Sequence, residues 1–73
     1  MSSIDRLAEK LAEDVFAAQE ETGNDRLFVE IGDVLAAASQ TLEEAFLTEC
    51  RVRLAEQKAR AALEAKLSAH RAE

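Results

Sequence analysis

The sequence has no proline, tryptophan or tyrosine, and only two glycines, one cysteine and one histidine in 73 residues. Each shortage excludes something. With glycine only at Gly23 and Gly32, little interrupts a helix once it has started. A single cysteine rules out an intrachain disulfide. With one histidine beside it, the chain lacks the four Cys/His ligands of a structural zinc site. Di-metal carboxylate bundles pair Glu with Glu-x-x-His, but here Leu67 stands three residues before His70, so that motif is missing. There is no glycine-rich phosphate loop, no G-x-S-x-G and no H-E-x-x-H. No catalytic, cofactor-binding or metal-ligating residue is therefore assigned, and the chain reads as non-enzymatic. Glu30 and Asp33 break the longest apolar stretch, so no transmembrane helix is expected. The start, Met1-Ser2-Ser3-Ile4-Asp5, lacks the basic and apolar regions of a secretory signal. With one unpaired thiol, the expected location is the cytoplasm.

What remains is rich in Ala, Leu, Glu and Arg, a composition that favours helix over sheet. Ser2 and Ser3 are N-cap residues, and Ser2 with Asp5 fits a capping box. From there Ile4, Leu7, Ala8, Leu11, Val15 and Ala18 recur at steps of three and four, one apolar face of a helix over about 3–21. Thr22-Gly23-Asn24 forms the break, with Gly23 suited to the end of one helix and Asn24 to the cap of the next. A second helix over about 25–71 carries Phe28, Ile31, Leu35, Ala38, Leu42 and Ala45 at heptad a and d positions. Thr41-Leu42-Glu43-Glu44 is a further capping box inside it, so a bend or break at 39–41 is the alternative, giving a three-helix bundle with a protruding C-terminal helix. The single domain ends in an exposed, alanine-rich helical tail over 57–73.

A short helix cannot cover a long one. The first is used up near Leu42, leaving roughly 40 Å of the second beyond it at 1.5 Å per residue. Phe46, Leu47, Cys50, Val52 and Leu54 are then candidates for an oligomer interface, with Leu63 and Leu67 as a distal set. The expected fold class is all-α: an antiparallel helical hairpin dimerising into a four-helix-bundle-like assembly. Gly32 costs about 1 kcal/mol relative to alanine in a helix. It is expected to make room for Phe16 or for a close helix crossing. Cys50 reads as a small buried apolar residue in preference to a nucleophile, since an activated thiol needs a neighbouring base.

Charge is segregated. Residues 1–50 hold three Lys/Arg against twelve acids, net −9; residues 51–73 hold six against three, net +3. The plain reading is a solvated helix whose charges keep it soluble; the other is attraction of a second copy in antiparallel register. The expected partner is a second copy, a dimer first of all, or another protein presented with a helical surface. The plan resembles the Rop-like family of plasmid copy-number regulators, which are small helical-hairpin dimers. That resemblance is architectural and implies, as an alternative, a nucleic-acid-binding regulator using the basic C-terminal helix. The spread of Arg51, Arg53, Lys58, Arg60, Lys66 and Arg71 around the helix, and the net charge, argue against nucleic acid.

Overall fold

A computed structural model describes residues 2–72 as three α-helices: α1 (Ser3–Thr22), α2 (Leu27–Ala38) and α3 (Gln40–Ala72). The described residues contain no strand. The expected second helix over 25–71 is thus two helices, divided at one residue.

The helix ends follow from local hydrogen bonding. Ser2 Oγ accepts from the Asp5 backbone N–H at 3.1 Å and starts α1. Gly23 ends it in the left-handed conformation, φ 75°, donating its N–H to the Gln19 carbonyl at 2.8 Å. Asn24 does not cap α2 directly. It forms a turn in which its Oδ1 accepts from the Arg26 N–H, and α2 begins only at Leu27. The first turn of α2 instead takes an acceptor from α1: Gln19 Oε1 accepts from the Phe28 N–H at 2.9 Å. This bond closes the corner between the two helices.

Ser39 makes the second break. It is extended (φ −159°, ψ 106°), its N–H donates to the Leu35 carbonyl, and its Oγ accepts from the Leu42 N–H at 3.2 Å. One residue therefore ends α2 and starts α3, with no glycine and no strain. The capping box at Thr41 lies two residues too late; Ser39 lacks its reciprocal Glu, because position 42 is a leucine.

The break redirects the chain. The N-terminus of α1 lies beside residues 41–49 of α3, and its last two turns lie beside residues 53–57. α1 and α3 therefore run the same way, and α2 carries the chain back between their ends. The core is Ala8, Ala12, Val15 and Phe16 of α1 with Phe46 and Cys50 of α3. Leu11, Phe28, Ile31, Leu35 and Leu42 pack around it, half-buried. Ala8 and Ala12 are fully buried, so their small side chains let α3 approach α1 closely enough to seat the Phe46 ring. The buried face of α1 is thus turned toward Ala8, Ala12 and Phe16, and Leu7, expected on the apolar stripe, is 60% exposed.

α3 has 33 residues, about 50 Å at 1.5 Å per residue, and sets the 53 Å length of the molecule. Residues 55–72 are all exposed. Past Gln57 the helix projects from the body for roughly 22 Å. It holds itself in part by local pairing: Glu56 and Arg60, one of the acid-first pairs legible in the sequence, meet at 2.7 Å.

Candidate protein-docking surface

The expected interface residues separate into two groups. Phe46 and Cys50 are fully buried within the single chain, under α1. Leu47 and Leu54 are half-buried against the same core. Phe46 and Cys50 do not stand in water, contrary to the expectation from a short helix beside one long one: the turn at Ser39 folds α3 back against α1, which covers them. Val52, Leu63 and Leu67 form the other group, 58%, 55% and 40% exposed.

Those three share a face. At about 100° per residue, Val52, Ala59, Leu63 and Leu67 fall within roughly 80° of one another and about 145° away from the side of α3 that carries Phe46, Cys50 and Leu54. α3 is therefore apolar on two nearly opposite sides, one spent on the core and one facing solvent. This explains why its sequence pattern decays as a single stripe: two stripes overlap in the middle of the helix.

The outer stripe runs into a groove of about 380 Å³ where the N-terminus of α1 meets α3. Ile4 and Ala45 give it apolar surface; Asp5, Glu44 and Glu49 give it negative charge, and no Lys or Arg lines it. A larger groove of about 660 Å³ lies at the other end of α1, between Glu13, Phe16 and Glu20 on one side and Arg53, Leu54 and Gln57 on the other. It is open, and its acids face an arginine.

Gly32 and Phe16 do not meet as one unit. Phe16 packs on Phe28, ring centroids 6.0 Å apart and tilted by 39°. Gly32 is buried against α3: a Cβ built there lies 3.3 Å from Leu47 Cδ2. The neighbour of that Cβ is the end of the Leu47 side chain, and no atom of Phe16 lies within 4 Å of it.

Cys50 is a free thiol in the core. Burial pushes it up to about 11, with the nearby Arg53 pulling weakly the other way. It is therefore protonated at neutral pH, the opposite of an activated nucleophile. His70 lies on the projecting part of α3, twenty residues or roughly 30 Å further along the same helix. Among the described residues, no three His, Cys, Asp or Glu side chains are grouped to hold a metal ion, and no helix is long and apolar enough to cross a membrane.

Three positions that hold the fold together have no signature in the sequence pattern. Gln19 caps a helix nine residues away across a turn, a contact with no sequence periodicity. Ser39 was visible only as a neighbour of a better-looking capping box. Ala12 sits four residues after Ala8, a spacing that marks a close helix contact once a second neighbour is known. Comparison of the chain with family models, curated proteins and solved structures returns no significant match, so its function rests on this geometry alone.

Proposed function

We propose that the chain is a non-enzymatic protein–protein interaction module, a helical scaffold that associates with itself through the projecting half of α3. The observation that carries this reading is the second apolar face: Leu63 and Leu67 stand more than a third exposed on a helix that runs past the body of its own chain. Burying one such side chain is worth roughly 1.5–3 kcal/mol, and a twofold pair buries each of them twice. A helix projecting alone also gains from a neighbour, because isolated helices of this length are marginal in water. A dimer built this way uses two antiparallel α3 helices, each backed by its own α1 and α2.

The test is sedimentation or light scattering across a dilution series, with Leu63→Lys/Leu67→Lys beside the unaltered chain. The expected result is a concentration-dependent dimer that the double variant loses while its helical circular dichroism persists. A chain that stays monomeric from micromolar to millimolar concentration would overturn the proposal.

The nucleic-acid alternative has less support. Arg60 is engaged by Glu56 at 2.7 Å, and the basic residues of α3 are interleaved with Glu56 and Glu64. A salt-dependent gel shift at low ionic strength decides it.

A further inference from the structure

We infer that two copies pair along α3 in one defined antiparallel register, with the twofold axis between Gln57 and Lys58, so that the basic tip of each α3 seats in the acidic groove beside the other copy's α1. The inference rests on the self-association proposed above and adds its geometry.

The register comes from the outer stripe. In heptad terms Glu49, Glu56, Leu63 and His70 occupy a positions and Val52, Ala59 and Lys66 occupy d positions. Antiparallel helices stack an a residue of one chain on a d residue of the other. Stacking Leu63 of one copy on Val52 of the other joins the two most exposed large residues of α3 and fixes every other pair. Lys66 then meets Glu49, Glu56 meets Ala59, and Leu67 comes level with Thr48. Arg71 and Glu64 come level with Glu44 and Arg51 of the other copy, but at outer b and c positions, away from the seam. One opposite-charge pair, Lys66 with Glu49, thus appears in a register chosen only to join Leu63 with Val52, and twofold symmetry makes it twice.

The groove supplies an independent line of support. It is lined by Ile4, Asp5, Glu44, Ala45, Thr48 and Glu49, carries only negative charge, and lies on the same side of α3 as Val52. The segment brought to it is the one carrying Lys66, Leu67 and Arg71. Apolar Leu67 meets a groove with Ile4 and Ala45 at its walls, and the cations meet its three acids. The seam itself is lined by Ala55, Ala59 and Ala62 near the axis, small enough for the two helices to approach closely. Charge complementarity also sets direction: a parallel pair would place the acidic bodies side by side and their basic tips together, which like charges oppose.

Charge reversal tests the register apart from association itself. Glu49→Lys and Lys66→Glu, each alone, are expected to weaken dimerisation about tenfold at low salt, since each leaves two like-charged pairs across the twofold. The combined variant Glu49→Lys/Lys66→Glu is expected to recover the original dissociation constant to within about threefold. Cysteine substitution gives a second readout. A mixture of Val52→Cys and Leu63→Cys chains should form the mixed disulfide on oxidation, while each variant alone should not, because 52 and its symmetry mate lie roughly 16 Å apart along the seam. Dimerisation without rescue by the double reversal, or with cross-linking of Val52→Cys to itself, overturns the register and leaves self-association standing. A monomer at every concentration overturns both.

Discussion

Replacing Phe46 by alanine distinguishes a core residue from an interface residue most sharply. Phe46 is fully buried within one chain, in contact with a core built from Ala8, Ala12, Val15, Phe16 and Cys50. Its neighbours on α1 are too small to fill the space its ring leaves, so the cavity collapses poorly. Phe→Ala in such a site costs about 3–5 kcal/mol. A domain of this size has a total stability on the order of 4–10 kcal/mol. The variant is therefore expected to lose about 30% of its stability or more. The assay is urea denaturation followed by helical circular dichroism, at two protein concentrations twentyfold apart. If Phe46 belongs to the core of a single chain, the loss is the same at both concentrations. Leu63→Ala serves as the contrast: it lies 55% exposed and should change the stability of the isolated fold by less than about 0.5 kcal/mol. A Phe46→Ala chain that keeps its fold, loses less than about 1 kcal/mol, and loses only its ability to dimerise would refute the packing described here.

Other outcomes follow from single contacts. Gly32→Ala gains about 1 kcal/mol of helix propensity and asks Leu47, half-buried and able to pivot, to yield a few tenths of an ångström; a net gain of roughly 0.5 kcal/mol in thermal denaturation is expected, whereas Gly32→Leu is expected to destabilise. Ser39→Ala removes the oxygen that caps α3 and should cost about 1 kcal/mol, with Ser39→Asp largely restoring it. Gln19→Leu leaves the Phe28 N–H without its acceptor and should cost about 1 kcal/mol, measured by urea denaturation. Cys50 titrates near 11 when folded and near 8.5 when unfolded, so the unfolded chain loses its proton first. Its contribution is complete below about pH 8.5 and is lost as pH rises toward about 11; the stability of Cys50→Ala, lower overall, should lack this alkaline decline.

Much of the local structure was legible because it is encoded locally. Ser2 caps α1 through a bond to a backbone only three residues away. Gly23 ends it because only glycine takes the left-handed conformation freely. The Glu56–Arg60 pair spans one turn of a single helix. Such features need no knowledge of the rest of the molecule, and residue identity with spacing is enough to place them.

The proposed docking surface was legible only in part. Val52, Leu63 and Leu67 were recognised as apolar residues beyond the reach of α1, and they are exposed. Phe46 and Cys50 were grouped with them because nothing in their spacing distinguishes an apolar residue destined for the core from one left outside. The acidic groove was not foreseen. Asp5 of α1 and Glu44 and Glu49 of α3 are some forty residues apart, and only the parallel course of the two helices brings them together.

That parallel course depends on one residue. Composition, the lack of breakers and the period of the apolar positions were sufficient to make the chain helical, to place its first turn and to send a long amphipathic segment toward the C-terminus. Whether α2 ran straight into α3 was a balance of small local terms: helix propensity on one side, the Ser39 hydroxyl as a cap on the other, each worth about a kcal/mol. Packing tips that balance. Folding back at Ser39 buries Phe46 and Cys50 against Ala8 and Ala12, several kcal/mol that exist only once distant segments meet. The same choice decides which side of α3 is spent on the core and which is left facing solvent.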